Sequence, residues 1–346
     1  MRIAIVKLSA LGDIIHAMVA LQFIKQHAPD IEIDWIVEER FAGILQHNPD
    51  ISQIFTVNLK ALKNNKLAIF EEIKKIRYFA KNHYDLVIDA QGLIKSAVTA
   101  RLLGKTVAGF NADSIREKAA SWFYNVKVAC AYDENTIDRN ALVLSKPLGF
   151  SITSDQILGK KPFLYSNNTN PELDEFFQKN RKVIVFVIGS TWESRNYPPE
   201  KFVKIAQDLQ ENCLVVWGSE QEKHKADWMS KQCTSIKALP KLDLNDLKAV
   251  VAKADLLVGN DTGPTHIAWG LNKPSITIFG PTPISRVYQT DINEVIKSHS
   301  TVNPYKLNKQ DYSIRDIDER IIVDQAIQLL SNHQNTKENH LHDTTS

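Results

Sequence analysis

The fold is decided by residues 254–266, which read Ala254-Asp255-Leu256-Leu257-Val258-Gly259-Asn260-Asp261-Thr262-Gly263-Pro264-Thr265-His266. The apolar first part predicts a buried parallel strand, and the residues that follow have helical spacing. A glycine turn between a strand and a helix presents backbone N–H groups at the positive end of the helix dipole. Pro264 suits the first helical turn, where no N–H is needed. The stretch therefore predicts a phosphate site, with Asp261 and His266 beside it where an attached sugar would lie.

The same alternation of apolar strands and amphipathic helices extends over most of the chain. Strands are predicted at 3–8, 31–37, 53–57, 85–89 and 107–110, and again at 183–188, 214–217, 235–238, 256–258 and 275–279. Helices are predicted at 14–27, 70–82, 199–211, 220–232 and 244–252. This alternation is typical of α/β folds whose parallel sheets are covered on both faces. We therefore predict two doubly wound, Rossmann-like domains facing an interdomain cleft, with ligands at the carboxyl ends of the strands.

The polar, turn-rich segment 166–171 is the predicted linker. It separates an N-terminal domain at 1–165 from a C-terminal domain at 172–315. A final helix is predicted at 316–330, and the polar residues 331–346 are expected to form a disordered tail.

The composition is that of a globular protein outside the membrane. Of 346 residues, 43% are apolar and 24% charged, and the net charge of +2 gives no reason to expect nucleic acid as a partner. Three scattered cysteines favour a reducing cytoplasm over disulfides or a zinc site. The N-terminal apolar run is broken by Lys7, unlike a secretory signal. No apolar stretch reaches the roughly 18 residues of a membrane span, so any membrane contact is expected to be peripheral.

The turn after the first predicted strand is the first candidate site, because Gly12 allows a tight turn just before Asp13. Asp13 has two interpretations. It is either a helix N-cap, a position that favours Asp, or a carboxylate at the cleft mouth that accepts a proton from a sugar hydroxyl. The nearby helix N-terminus would keep such a base ionised. Ser9, in the same turn, is a weaker candidate.

The second candidate site is 89–96, where another strand runs into a helix through Gly92. Gln91 and Lys95 can hydrogen-bond an acidic or hydroxylated acceptor, although a plain turn with a solvated lysine fits the same local pattern. Arg116 is a further candidate for an anionic acceptor. Upstream, three lysines have no acidic partners nearby: Lys60, Lys63 and Lys66. They can meet substrate phosphates or anionic lipid headgroups, or form a solvated surface.

Two turns in the second half carry groups suited to a nucleotide. Ser190 and Thr191 can donate to phosphate oxygens, and Arg195 can neutralise a diphosphate leaving group in place of a metal. Glu222 follows another strand and suits a ribose diol, or else complements the helix dipole. Neither G-x-G-x-x-G after the first strand nor G-x-x-x-x-G-K-[ST] occurs, which disfavours a dinucleotide dehydrogenase or a P-loop enzyme.

Taken in order, these motifs resemble the lipopolysaccharide heptosyltransferases of glycosyltransferase family 9, most closely those of type I. The resemblance covers residues 1 to about 330 and rests on the segments 7–13, 89–96, 116–125, 217–218, 239–241 and 260–266.

The resemblance implies a GT-B fold in which the final helix returns to the first domain. It implies transfer of L-glycero-D-manno-heptose from ADP-heptose to 3-deoxy-D-manno-octulosonic acid of the lipid A inner core. Asp13 matches the base of an inverting single displacement. The donor-binding set is Ser190, Thr191, Arg195 (where relatives carry Lys), Glu222, Leu242, Asp261, Thr262, Gly263 and His266. The acceptor-binding set is Ser9, Gly12, Lys60, Lys63, Lys66, Gln91, Gly92, Lys95 and Arg116.

No cofactor or metal is expected, because no D-x-D pair lies near the donor turns; ADP-heptose is a substrate. The expected partners are this donor and the lipid A–octulosonic acid acceptor, with no nucleic acid. The expected location is the cytoplasmic face of the inner membrane, in peripheral contact. Two alternatives stay open: a type II or other family 9 transferase with a different acceptor, and a non-catalytic nucleotide-sugar-binding module. Such a module would not need a carboxylate at Asp13.

Overall fold

The computed structural model describes residues 1–59, 68–167, 170–177 and 180–343. The chain forms two compact units. The first contains Met1–Tyr165 together with Ser285–Val287, and the second contains Ser166–Ile284 and the chain from Tyr288 onward. The predicted linker, 166–171, thus lies at the start of the second unit.

The described residues of the first unit form a six-stranded parallel sheet of order β3-β2-β1-β4-β5-β6. Its strands are β1 (Arg2–Val6), β2 (Glu32–Glu38), β3 (Gln53–Val57), β4 (Leu86–Asp89), β5 (Val107–Phe110) and β6 (Val126–Val128). Its helices are α1 (Leu11–Met18), α2 (Ala20–His27), α3 (Ala42–Leu45), α4 (Ala68–Phe79), α5 (Ile94–Leu103), α6 (Thr136–Ser145) and α7 (Ser154–Leu158). The central strands β1 and β4 are buried almost throughout, because helices cover both faces of the sheet.

The second unit repeats this topology, with the order β12-β11-β10-β7-β8-β9 among its described residues. Its strands are β7 (Val183–Val187), β8 (Asn212–Val216), β9 (Ile236–Ala238), β10 (Leu256–Asn260), β11 (Ser275–Phe279) and β12 (Asn293–Lys297). Its helices are α8 (Pro199–Leu209), α9 (Glu220–Gln232), α10 (Leu244–Lys253), α11 (His266–Gly270) and α12 (Glu319–Asp343). In each sheet, the direction in which successive strands are added reverses beside the first strand of the unit. Ligands of doubly wound sheets bind at that position, outside the carboxyl ends of the strands.

The predicted α/β class is confirmed, but the sequence did not reveal the edge strands β6 and β12. β6 has only three residues, two of them exposed. β12 reads Asn-Glu-Val-Ile-Lys, and its side chains are mostly half-buried. Edge strands are paired on one side only and need not be continuously apolar, so their hydrophobic signal is weak.

The final helix differs from its prediction in extent. α12 begins at Glu319 and continues to Asp343, so 331–343 lies in the helix where a disordered tail was expected. No proline or glycine interrupts these residues, and most are compatible with helix. Ile322 and Ala326 are buried in the core of the second unit, where α12 lies against α8. Its expected return to the first domain stays a prediction.

Within the described part of the chain, no helix is long and apolar enough to cross a bilayer. The three cysteines, Cys130, Cys213 and Cys233, are free thiols.

Candidate active site

In the first unit, Asp13 lies in the first turn of α1, just beyond the end of β1. It is half-buried, and its Oδ2 accepts a hydrogen bond from the backbone N–H of Ala10 at 3.2 Å. Ala10 is the N-cap, so Asp13 is the third residue of the helix and bonds back to the cap. The N-cap interpretation is therefore wrong in position, although Asp13 does satisfy an N–H at the helix start.

Lys7 lies beneath this turn and was missed as a candidate in the sequence. Its side chain is almost completely buried, and Nζ donates to the backbone oxygen of Ala90 at 2.8 Å. Burial lowers the pKa of the Lys7 ammonium, while the charges of Asp13 and Asp89 act to raise it. The sequence did contain a signal for Lys7: it is a lysine at the end of an apolar strand, in a position where a charge is costly to bury.

Gln91 holds the turn that carries Asp13. Its Oε1 accepts hydrogen bonds from the backbone N–H groups of Leu8 and Ser9, both at 3.1 Å. Its neighbour Gly92 has a φ of +72°, and a Cβ there would lie 2.7 Å from Ile115 Cγ2, so glycine is required. The structure thus gives Gln91 a positioning role. Its predicted contact with an acceptor stays a prediction.

A buried carboxylate organises the second loop from below. Asp89 is fully buried and accepts from Tyr124 Oη at 2.6 Å, from Ser96 Oγ at 2.8 Å and from the Gln91 N–H at 2.8 Å. Burial raises the pKa of Asp89, and these three donors act to lower it. Burial also raises the pKa of Tyr124, so its hydroxyl stays a donor. This network fixes the direction in which the chain leaves β4.

The other predicted acceptor-binding residues differ in their position and exposure. Lys95 is partly exposed at the start of α5, with Nζ 3.7 Å from Glu38 Oε1. Gly12 is half-buried in the first turn of α1, and Arg116 is exposed in the segment after β5. Lys60, Lys63 and Lys66 lie outside the described residues, so their predicted roles stay predictions.

In the second unit, a cavity of about 420 Å³ lies at the carboxyl ends of β7, β8 and β10. Five predicted donor-binding residues meet in its lining: Ser190, Thr191, Glu222, Leu242 and Thr262. Trp217, Leu244, Leu247 and Pro264 add apolar surface to the wall. Hydroxyl groups, a carboxylate and an apolar wall are the groups that a nucleoside diphosphate needs.

Glu222 is oriented by the two loops that flank it. Its Oε2 accepts from the backbone N–H of Gly218 at 2.7 Å, and its own N–H donates to the Ser219 cap at 3.3 Å. A Cβ at Gly189 would lie 2.1 Å from Glu222 Oε1, so only glycine lets the carboxylate reach over the end of β7. This position suits an acceptor for the two hydroxyls of a ribose.

Asp261, Arg195 and His266 form a buried polar cluster beside the cavity, but they are not part of its lining. Arg195 Nη2 lies 2.8 Å from Asp261 Oδ2 and also donates to the Asp261 backbone oxygen. Thr282 Oγ1 donates to the same carboxylate at 2.7 Å, and His266 Nε2 lies 3.4 Å from Oδ1. In this structure Arg195 therefore secures the 260–266 turn. Its predicted phosphate contact stays a prediction.

The helix after this turn is short. Gly263–Thr265 form a single 3₁₀ turn, and α11 extends only over His266–Gly270. A helix of five residues has a weak dipole, so it attracts a phosphate at its start only weakly. Among the described residues, no cluster of His, Cys, Asp and Glu is arranged to hold a metal ion.

Comparisons with known proteins place the chain in a family. The sequence model of glycosyltransferase family 9 (heptosyltransferase) matches residues 73–313, more than half of the chain. The chain belongs to glycosyltransferase family 9. Membership makes it a glycosyltransferase of the heptosyltransferase family, and the alternative of a non-catalytic module is set aside.

Similarity within family 9 extends over nearly the whole length. The chain is 36% identical to lipopolysaccharide heptosyltransferase 1 of Campylobacter coli, covering 93% of this chain and 97% of that protein. It is 30% identical to the Escherichia coli K12 protein of the same name, covering 90% and 97%. It is also similar to E. coli heptosyltransferase WaaC solved with ADP, with a TM-score of 0.78 and 25% identity over 95% of this chain and 100% of that one. The predicted GT-B fold is confirmed.

Proposed function

We propose that this family 9 enzyme is a lipopolysaccharide heptosyltransferase of type I. It transfers L-glycero-D-manno-heptose from ADP-heptose to 3-deoxy-D-manno-octulosonic acid of the lipid A inner core. The observation that carries the proposal is the 36% identity to a lipopolysaccharide heptosyltransferase 1 along nearly the full chain. A form of WaaC bound to ADP-2-deoxy-2-fluoro heptose, 28% identical with a TM-score of 0.73, supports the choice of donor.

The donor occupies the cavity of the second unit. The ribose diol lies against Glu222, and the adenine lies between Leu242 and the apolar wall. Ser190 and Thr191 donate to the diphosphate, at the loop that follows β7. Arg195 and His266 keep Asp261 in place, and Asp261 with Thr262 and Gly263 forms the wall toward the sugar. Charge that develops on the leaving diphosphate is stabilised by these fixed donors.

The chemical step is a single displacement with inversion at the anomeric carbon. A carboxylate oxygen of Asp13 accepts the proton of the acceptor hydroxyl, and the acceptor oxygen forms the bond to the anomeric carbon of heptose. The bond from this carbon to the β-phosphate oxygen breaks, and the electron pair leaves with ADP. Lys7 lies beneath the turn that carries Asp13, and the charge of Asp13 acts to raise the pKa of the Lys7 ammonium against the effect of burial.

The acceptor meets cations of the first unit. Lys95 and Arg116 suit the carboxylate of octulosonic acid and the phosphates of lipid A. Lys60, Lys63 and Lys66 belong to the same proposal. An acceptor carried by lipid requires the enzyme to work at the cytoplasmic face of the inner membrane, in peripheral contact. Transfer that survives EDTA would agree with the absence of a metal requirement.

The test of the base is Asp13→Asn, measured as transfer of heptose from ADP-heptose to a deep-core acceptor that bears octulosonic acid. Asparagine keeps an oxygen to accept the Ala10 N–H, so the fold of the turn is preserved. Loss of a general base predicts a fall in kcat of about 10²-fold or more. Asp30→Asn, at an exposed turn of the same unit, is the matched control and should be fully active.

Activity of Asp13→Asn within a few-fold of the wild type would exclude the base assignment. A panel of acceptors tests the type: a chain that ignores octulosonic acid and accepts an already heptosylated core would be a type II transferase.

A further inference from the structure

One face of the first unit exposes aromatic and basic side chains together. It is formed by α4, by α5 and by the segment 118–127, and these elements pack side by side: α4 against α5, and α5 against the 3₁₀ turns at Lys118–Phe123. We refer to the outer surface of α4, α5 and 118–127 as the basic–aromatic face. α5 begins three residues after Gln91, so one end of this face adjoins the loops around Asp13.

Ile69 and Glu71 are exposed as well, but most exposed positions of α4 and of the 3₁₀ turn that follows it recur at helical spacing and form one stripe. Its members are Phe70, Lys74, Arg77, Tyr78 and Lys81, at offsets of 0, 4, 7, 8 and 11 residues from the first. Phe70 is 69% exposed and Tyr78 65% exposed, which is unusual for rings of this size. The Lys81 ammonium lies 5.1 Å from the centre of the Tyr78 ring, so the cation and the ring point the same way.

A second stripe follows the length of α5. Ile94, Lys95, Val98, Arg101 and Lys105 are all exposed. Ile94 is 45% and Val98 38% exposed, so this helix also places apolar groups between its cations. No acidic residue occurs from 94 to 105. Both stripes therefore present apolar and positive side chains in alternation.

The segment beside α5 adds the most exposed large ring of this face. Trp122 is 81% exposed, and it lies between the exposed residues Lys118 and Lys127. Acidic groups of the same unit lie among these cations: Glu71 near the start of α4, Glu38 3.7 Å from Lys95, Glu117 at the start of α5, and Asp113 3.4 Å from Lys118. Even with these carboxylates counted, positive side chains outnumber negative ones on this face.

We propose that the basic–aromatic face docks the enzyme on an anionic bilayer, with Phe70, Tyr78 and Trp122 at the level of the headgroups. Aromatic rings with one apolar and one polar side concentrate at that level, and lysine and arginine extend to the phosphates. This inference rests on the proposed function, because a lipid-linked acceptor would then be presented to the loops at the end of α5.

A bilayer fits this face better than a protein partner does. The apolar side chains are separated by cations and form no continuous patch, so a dry protein interface would have to bury several charges. At a bilayer the same cations remain in the headgroup layer while the rings enter it. Each basic residue near an anionic surface is worth about fivefold in binding.

Vesicle sedimentation with the full chain tests the proposal. The probes are vesicles of phosphatidylcholine with and without phosphatidylglycerol, at low and high salt. The triple variant Lys74→Gln, Arg77→Gln, Lys81→Gln should bind the anionic vesicles at least tenfold more weakly and lose most of the salt dependence. Trp122→Ser should weaken binding at both salt concentrations. Lys146→Gln, Lys161→Gln, Lys231→Gln removes three exposed charges elsewhere and should bind like the wild type.

Activity separates failure of this inference from failure of the proposed function. With an acceptor freed of its acyl chains, the triple variant and Trp122→Ser should turn over like the wild type. With an acceptor embedded in vesicles, both should be slower by the factor lost in binding. Equal vesicle binding by the wild type and both variants would overturn the docking face while heptose transfer remained intact. Concentration-dependent dimers that Trp122→Ser dissolves would assign the face to a second copy and also overturn it.

Discussion

Replacing Gln91 by alanine should slow the enzyme without altering Asp13, the proposed base. The side-chain oxygen of Gln91 accepts the backbone N–H groups of Leu8 and Ser9, four to five residues before Asp13. Alanine removes the oxygen that accepts both bonds and leaves room for the turn after β1 to move. Asp13 keeps its bond to Ala10, so α1 itself should remain folded.

The magnitude follows from the two lost bonds. Neutral hydrogen bonds contribute about 1 kcal/mol each, and the buried Leu8 N–H would be left without its acceptor at a cost of about 1–3 kcal/mol. With about 1 kcal/mol for the Ser9 bond and about 1–3 kcal/mol for the Leu8 N–H, we expect the free energy of unfolding to fall by about 2–4 kcal/mol. A shift of about 1 Å in a reacting group costs roughly 10²-fold in rate, so kcat should fall between about tenfold and a hundredfold.

The assay is steady-state heptose transfer with both substrates varied, well below the melting temperature. The KM for ADP-heptose should be unchanged, because the donor cavity belongs to the other unit. Gln22→Ala is the matched control. Gln22 also makes two side-chain-to-backbone bonds, both with Lys161 in the same unit, but these do not hold the Asp13 turn. It should lose some stability and keep its kcat.

Two results would contradict a positioning role for Gln91. If kcat of Gln91→Ala equals that of Gln22→Ala, the bonds to Leu8 and Ser9 do not position the base. If only the KM for the acceptor rises, Gln91 contacts the acceptor directly, as the sequence suggested, and its positioning role is wrong.

Two further predictions concern stability in the second unit. Arg195→Ala removes the cation 2.8 Å from the buried Asp261 carboxylate and should lower the free energy of unfolding by about 3–5 kcal/mol in chemical denaturation. Lys223→Ala, at an exposed i,i+4 ion pair, should leave it almost unchanged, and similar losses in both variants would contradict the buried pair. The hydrogen bond from Lys204 lowers the pKa of Glu319 from 4.5 to about 2. The ionised Glu319 carboxylate therefore stabilises the folded state above pH 4.5, and this contribution is lost as the pH falls toward 2. The Tm difference between wild type and Glu319→Gln should shrink over that range, and a difference independent of pH would exclude this linkage.

Much of the fold was predictable because its signals are local. Strands β3, β5 and β11 occur at their predicted bounds, since each consists mainly of apolar or β-branched residues and is followed by a polar or turn-forming residue. The polar edge strand β12 and the helical continuation past 330 were not predictable in this way, because neither carries an apolar period of its own.

The candidate residues could be found from such local patterns, but the residues that they contact could not. Ser190, Thr191 and Glu222 each follow a predicted strand, so their meeting at one sheet edge could be inferred from topology alone. Lys7 and Asp89 resemble ordinary strand-end charges in the sequence. Only their burial marks them as parts of the site.

Short segments of the sequence were enough to predict the class of fold, the family and the loops of the candidate site, because strand period, turn residues and ordered motifs are properties of such segments. The tertiary structure alone decided what those loop residues contact. Arg195 meets Asp261 across 66 residues of chain, and Gln91 meets Leu8 across 83. Such pairs form where parallel strands end side by side, and the order of strands in a sheet is a property of the folded chain. For this reason the sequence did not reveal that Arg195 holds the 260–266 turn or that Gln91 holds the turn before Asp13, while their predicted contacts with a phosphate and an acceptor stay predictions.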